Sequence, residues 1–142
     1  MTQALDTAQT LAAPLGRALL ALIFITSGAG KITGYEGTQG YMEMMGVPGA
    51  LLPLVILTEL GGGIALLLGW QARIAAFLLA GFTLLSGFIF HYLPGLGMEG
   101  MEAQAQMISF WKNVSITGGL LMVVSLGAGA WSFDGARRGA AA

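Results

Sequence analysis

Charge is scarce in this chain, and cysteine is absent from it. Asp, Glu, Lys and Arg together make up 9% of the 142 residues, whereas 56% are hydrophobic. A soluble domain needs many more charged side chains to cover its surface. Apolar runs near the ~20 residues that cross a bilayer recur four times. The sequence therefore predicts an integral membrane protein rather than a soluble all-helical one.

The missing residue types also restrict the chemistry. Without cysteine there can be no disulfide, thiol redox centre, Fe–S cluster or Cys-based zinc site. His91 is the single histidine, which excludes bis-histidine haem ligation within one chain. No basic run suggests nucleic acid binding. We therefore expect no covalent or metal cofactor, and a redox role would need a bound organic cofactor, such as a quinone, or a partner protein.

The apolar runs predict an all-α fold, an integral membrane four-helix bundle formed by a single domain over residues 1–142. A segment rich in Tyr and Met, Gly37–Met45, predicts a short interfacial helix between the first two spans. The four predicted spans cover about residues 14–32, 50–69, 73–93 and 107–130.

The cationic residues that flank the spans predict the orientation. Arg17, Arg73, Arg137 and Arg138 fall on the side that the two termini share, whereas the opposite loops are acidic. By the positive-inside rule, we expect both termini to be cytoplasmic, with Arg17 and Arg73 acting as topology anchors.

Four titratable side chains lie within or at the ends of these spans: Lys31, Glu59, His91 and Lys112. A charge at the centre of a bilayer costs roughly 2.5–3.5 kcal/mol on insertion scales. Counted along the helices, all four fall in the outer half of the bundle, and Glu59 lies roughly 14 Å deep. We therefore expect them to form one polar site.

Glu59 and Lys112 are predicted to pair, because neither reaches the headgroups easily. Two interpretations remain open: a pair that only directs helix packing, or a pocket in which the pair binds a polar ligand group or relays protons. Asn113 is expected to hydrogen-bond across helices. Lys31 either snorkels to the headgroups or joins the site, and His91 is equally consistent with an unspecialised, a ligand-contacting or a proton-handling role.

Small residues follow both predicted partners at helical spacing. Gly62 and Gly63 lie three and four residues after the glutamate, and Ser115 and Gly119 lie three and seven residues after the lysine. Small side chains let membrane helices approach closely, so we expect these four residues to pack helices together. The glycine clusters lack the Lys-Ser/Thr of a phosphate loop.

Short motifs recur in a definite order from about Leu15 to Asp134. They are Arg17 with Leu19-Leu20 and Phe24; Ser27-Gly28 with Gly30-Lys31; Glu59-Leu60-Gly61-Gly62-Gly63 with Leu68-Gly69 and Arg73; Lys112-Asn113 with Gly118-Gly119-Leu120; and Tyr41-Met42-Glu43-Met44-Met45-Gly46-Val47-Pro48-Gly49. In this order and spacing they resemble the DoxX family of small bacterial inner-membrane proteins, and the last motif resembles its YqjF-like subgroup.

The resemblance implies a four-helix bundle in the bacterial inner membrane. Some members of the family are described as subunits of quinol oxidase or thiosulfate:quinone oxidoreductase systems, so it also implies a link to quinones or to a redox partner. Two alternatives are a non-enzymatic membrane anchor or assembly partner and, ranked last, a small-solute or proton carrier. Whether the chain is an enzyme, and whether it forms a homo-oligomer, stay open.

Overall fold

The computed structural model describes residues 2–140, apart from the side chains of residues 2 and 4. Within this part of the chain every regular element is a helix and no strand occurs. The helices are α1 (Thr2–Thr33), α2 (Tyr35–Met44), α3 (Gly49–Leu68), α4 (Ala72–Leu96), α5 (Gly100–Leu126) and α6 (Phe133–Ala140).

Helices α1, α3, α4 and α5 are long and apolar enough to cross a membrane. Their most apolar windows have mean hydropathies of 1.4 to 2.1, and only 11 to 33% of the residues in each window are buried inside the protein. Most apolar side chains therefore point outward, as they do when the surroundings are lipid. The predicted all-α membrane fold is confirmed, and so is a short helix, α2, between the first two spans.

The helices differ from the predicted spans mainly at their ends. Helix α1 begins twelve residues before the predicted start at residue 14, and α5 begins at Gly100 rather than at residue 107. The expected loop over residues 94–106 shrinks to residues 97–99. Hydropathy locates the stretch suited to hydrocarbon, whereas a helix continues through polar residues until its backbone hydrogen bonds end.

The four long helices pack in the chain order α1, α3, α4, α5. Helix α1 packs along α3, α4 packs along α5, and α1 touches α5 much less. The buried core lies in the half of the bundle near the turn that joins α3 to α4. Its members are Ala21, Phe24, Leu66, Ala76, Leu79, Ala80 and Leu120.

The α3–α4 turn is held by Asp134, which lies in α6. The Asp134 carboxylate accepts hydrogen bonds from the backbone N–H groups of Gln71 at 2.9 Å and Ala72 at 2.8 Å. Its own N–H donates to the carbonyl of Gly69 at 2.9 Å. The carboxylate thus satisfies N–H groups that the start of α4 leaves free.

Arg17 holds the chain that leads to α6. Its side chain is buried, and its guanidinium donates to the carbonyl oxygens of Ala128, of Ala130 at 3.0 Å and of Trp131 at 2.7 Å. A residue expected to mark orientation therefore also fastens the C-terminal segment. We call this end of the bundle, with Arg17, Asp134 and the segments that they hold, the clamped end.

Candidate ligand-binding cavity

Helices α3 and α4 separate as they leave the clamped end. They pack together where Gly62–Leu68 meets α4, and much less beyond that point. The separation leaves a cavity of about 660 Å³ at the opposite end of the bundle. Helix α2 covers it: Met42 is buried, and the ring of Tyr41 lies 5.6 Å from that of Phe90 on α4. We call this the cavity end.

The cavity wall is mainly apolar, with a limited set of polar side chains. Its volume lies within the roughly 300–1,000 Å³ of typical small-molecule sites, which share this character. The polar side chains in the wall are Ser27, Lys31, Thr38, Tyr41, Thr58, Glu59, Thr83, Ser86, His91 and Asn113.

A compact ion-pair cluster forms one side of the cavity. Lys31 Nζ lies 2.8 Å from Glu59 Oε2 and 3.1 Å from Glu59 Oε1. Ser27 donates from Oγ to Glu59 Oε1 at 3.0 Å and accepts from Lys31 Nζ at 2.7 Å. The exposed fraction of the side chain is 6% for Glu59 and 24% for Lys31. Because one positive and one negative charge meet here, the cluster carries no net charge.

Gly28 allows this cluster to form. A Cβ at Gly28 would lie 3.0 Å from the backbone nitrogen of Leu60 and 3.3 Å from Glu59 Cβ, so a larger residue would press α1 away from α3 at this contact. Ser27 precedes Lys31 by one helical turn, so both side chains lie on one face of α1. Together they reach the carboxylate on α3.

The predicted Glu59–Lys112 pair is wrong. Lys112 is exposed and does not line the cavity, and Ser115, expected to pack between helices, is exposed as well. The inward face of α5 is displaced by one position and carries Asn113 and Thr117 instead. Helix α5 packs chiefly on α4, so its polar residues do not meet those of α3.

Three of the four small residues predicted at helix contacts lie against neighbouring helices. A Cβ at Gly62 would be 3.1 Å from Leu79 of α4, and one at Gly63 would be 3.1 Å from Phe24 Cβ of α1. A Cβ at Gly119 would be 3.3 Å from a leucine side chain of α1. These approaches bring the helices close together around the hydrophobic core.

His91 lies in the opposite wall and is half-buried. Its Nδ1 is 2.8 Å from Gln106 Oε1 on α5. An Nδ1–H of the imidazole can donate to this amide oxygen, so the contact fixes the orientation of the ring in the cavity wall. Asn113 lies nearby on α5, where a Cβ at Gly87 would be 2.7 Å from its Nδ2.

Both candidate acid–base residues in the cavity lie in short π-helical segments. Glu59 is in Leu57–Gly61, and His91 is in Phe88–Tyr92. Because Pro94 has no N–H to donate to the carbonyl of Phe90, a wider helical turn is favoured just before the proline. Such segments occur often at functional sites because an extra residue in the turn redirects side chains. Sequence reasoning missed them.

Thr83 is the cavity residue that sequence reasoning passed over. It lines the cavity from α4, although the sequence analysis gives it no role. Its exposed fraction is 4%. The signal was a hydroxyl side chain one turn before Gly87 within an apolar span. As for metals, no group of three or more His, Asp or Glu that could hold an ion occurs in the part of the chain that the structure describes.

The fold and the cavity define a class: a small multi-pass helical membrane protein with a polar site between its helices. The chain belongs to the DoxX family, whose model matches residues 12–92. This match contains Lys31, Glu59 and His91, whereas Lys112 and Asn113 lie beyond it.

Two relatives from Escherichia coli strain K12 cover most of the chain. Inner membrane protein YqjF is 50% identical over 120 residues, which is 84% of this chain and 87% of the relative. Inner membrane protein YphA is 37% identical over 122 residues, 84% of this chain and 86% of the relative. No solved structure matches. The protein is therefore a small inner-membrane protein of the DoxX family, in contact with the lipid bilayer.

Proposed function

We propose that this protein binds a quinone in the cavity, with the headgroup beside Glu59, Lys31 and His91. The observation that carries the proposal is the neutral Lys31–Glu59–Ser27 cluster in the wall of an otherwise apolar cavity. Because the two charges compensate each other, a neutral ligand fits better than an ion. Quinone carbonyl oxygens accept hydrogen bonds. Lys31 Nζ contacts both oxygens of the Glu59 carboxylate, so one of its three N–H donors can turn to a headgroup while the ion pair is kept.

The shape of the cavity favours a ligand that travels in the membrane. Leu54 on α3 and Leu78 and Leu85 on α4 line the cavity, yet they are 59%, 58% and 61% exposed. Residues that face both the cavity and the surroundings mark an opening between the two helices. In a bilayer this opening faces lipid, so an isoprenoid tail could leave the cavity there while the headgroup stays inside.

The acid–base groups suit proton exchange with such a headgroup. A quinone takes up two protons when it is reduced by two electrons, and Glu59 and His91 could supply or accept them. The electrons must come from a partner, so we propose that the chain serves as a membrane subunit of a redox complex. The quinone is the organic cofactor of this proposal.

A second candidate is a non-enzymatic anchor or assembly subunit. Two methionines at the cavity end, Met44 and Met101, are 76% and 86% exposed, and flexible exposed methionines suit protein contacts. In that case the double variant Lys31→Met, Glu59→Gln should retain its partner during purification, while Met44→Glu should lose it. The opposite result favours the quinone site.

We further propose that both termini are cytoplasmic and that the cavity end faces outward. Arg73, Arg137 and Arg138 all lie at the clamped end, which supports this orientation. Because the chain has no cysteine, Glu99→Cys and Gly139→Cys give two single-cysteine proteins. A membrane-impermeant maleimide added to intact cells should label position 99 and not 139; the reverse pattern contradicts the orientation.

The test of quinone binding compares Lys31, which lines the cavity, with Lys112, which does not. Wild type, Lys31→Met and Lys112→Met are purified with their native lipids, and extracted quinone is measured by mass spectrometry per mole of protein. We expect quinone with wild type and with Lys112→Met, and a loss of at least tenfold with Lys31→Met. Absence of quinone from wild type, followed by no binding of added ubiquinone-1, would refute the proposal.

A further inference from the structure

Thr83 has a buried hydroxyl that no other group satisfies. Its Oγ1 has no hydrogen-bond partner within residues 2–140, although the residue is only 4% exposed and lines the cavity. A buried hydroxyl without a partner costs free energy, most of all in a membrane where water does not reach it. Such a group in a native site needs an explanation.

The other threonines show what Thr83 does not do. Among threonines whose side chains are described, every other one donates to a backbone carbonyl three or four residues earlier in the chain, as is usual for this residue. They are Thr7, Thr10, Thr26, Thr33, Thr38, Thr58 and Thr117. Thr83 lies in mid-helix and lines the cavity, yet within residues 2–140 its hydroxyl makes no such bond.

The neighbours of Thr83 place this hydroxyl beside the polar part of the cavity. Gly87 follows it by one turn on the same face of α4, and the Asn113 amide packs against Gly87. His91 follows one turn later. The Lys31–Glu59–Ser27 cluster lines the same cavity from α1 and α3, with its charges compensated internally. These surroundings therefore favour one kind of partner for the Thr83 hydroxyl, a neutral oxygen acceptor bound in the cavity.

We propose that Thr83 is a ligand-binding residue whose hydroxyl donates a hydrogen bond to a carbonyl oxygen of the bound headgroup. This role rests on the proposed quinone site and assigns one of its contacts. Thr83 then lowers the stability of the empty protein and contributes to affinity when the ligand is present. If Thr83 only packed helices together, it would raise both the stability of the empty protein and the affinity for the ligand.

The experiment compares Thr83→Val with Thr58→Val in the full chain. Both threonines line the cavity, but the Thr58 hydroxyl is already bonded to the carbonyl of Leu54 at 2.8 Å. Each protein is reconstituted in nanodiscs of defined phospholipid. The Kd for ubiquinone-1 is measured by titration calorimetry, and the Tm is measured without ligand.

We expect Thr83→Val to raise the Kd by about tenfold without lowering the Tm, and Thr58→Val to leave the Kd within twofold of wild type. Thr83→Ser, which keeps the hydroxyl, should restore most of the affinity. Equal affinity of wild type and Thr83→Val would overturn the role of Thr83 while leaving the quinone site intact.

Two other outcomes are also decisive. A lower Tm for Thr83→Val, with equal losses of affinity in both valine variants, would show that Thr83 acts through packing, against the proposal. No binding of ubiquinone-1 to wild type would refute the proposed function, and the assignment of Thr83 would fall with it.

Discussion

The two ends of the bundle bury charge in contrasting ways. At the clamped end, Arg17 and Asp134 bond to backbone groups, at the carbonyls before α6 and at the start of α4. At the cavity end, Lys31 and Glu59 bond only to side chains and border a cavity of about 660 Å³. Backbone partners cannot move without unfolding a turn, whereas side-chain partners can rearrange around a ligand.

This contrast separates charges that hold segments of chain from charges that border a cavity. A buried ion pair is weak evidence for stability by itself, since an apolar pair of similar volume is often as stable. The charges at the clamped end hold segments of chain that would otherwise have unsatisfied carbonyl and N–H groups. Those at the cavity end hold no loop, which agrees with the role in ligand binding proposed above.

The largest effect is expected from Arg17→Met. Three backbone carbonyls would lose a charged donor in a buried place, and we expect a loss of roughly 3–5 kcal/mol in the free energy of unfolding. The measurement is urea or thermal unfolding in detergent. Arg17→Lys should retain only part of the stability. Lysine keeps the positive charge, but an ammonium cannot reach three carbonyls as a guanidinium does. Stability equal to wild type in Arg17→Met would contradict the structural role of the clamped end.

A smaller effect is expected from Lys31→Met at the cavity end. The variant leaves Glu59 buried without its counter-charge, and we expect a loss of roughly 1–3 kcal/mol, reduced when the carboxyl takes up a proton. The double variant Lys31→Met, Glu59→Gln should recover most of this stability but not ligand binding. Thermal unfolding of the single and double variants measures the coupling.

Lys112→Met is the matched control, because this lysine is exposed and should change stability by no more than about 0.5 kcal/mol. If Lys112→Met destabilises the protein as much as Lys31→Met does, the assignment of the pair to α1 and α3 is wrong.

The smallest effect is expected from a comparison of Gly28 with Gly30, which lie on different faces of α1. A Cβ at Gly28 would meet the backbone of Leu60 at 3.0 Å, whereas nothing lies within 4 Å of one at Gly30. Gly28→Ala should therefore push α1 from α3 and cost about 1–2 kcal/mol, while Gly30→Ala should be neutral or stabilising, by up to about 1 kcal/mol. Thermal unfolding compares them, and equal Tm values would show that the close approach is unimportant.

Much of the architecture could be predicted without coordinates. Four apolar runs of bilayer length indicated four membrane-spanning helices, and a Met-rich segment indicated α2. Counting residues along each run placed Lys31, Glu59 and His91 at the same end of the bundle, where the cavity now contains them. These inferences depend only on distance along a helix, which the sequence records directly.

The pairing of charges could not be predicted in the same way. Lys112 and Lys31 lie at suitable depths, but one faces outward and the other contacts Glu59. In a soluble helix the polar face marks the exterior. In a membrane helix the lipid-facing and the buried positions are both apolar, so hydropathy does not show which way a side chain points.

The sequence by itself therefore determined the class of protein, the number of candidate spans and the position of each charged group along its helix. Tertiary structure decided that α1 rather than α5 supplies the partner of Glu59 and that Glu59 and His91 border one cavity. It also left the Thr83 hydroxyl without a hydrogen-bond partner within residues 2–140. The physical reason is that helix length and depth follow from local hydropathy. The rotation of each helix about its axis follows only from how neighbouring helices pack.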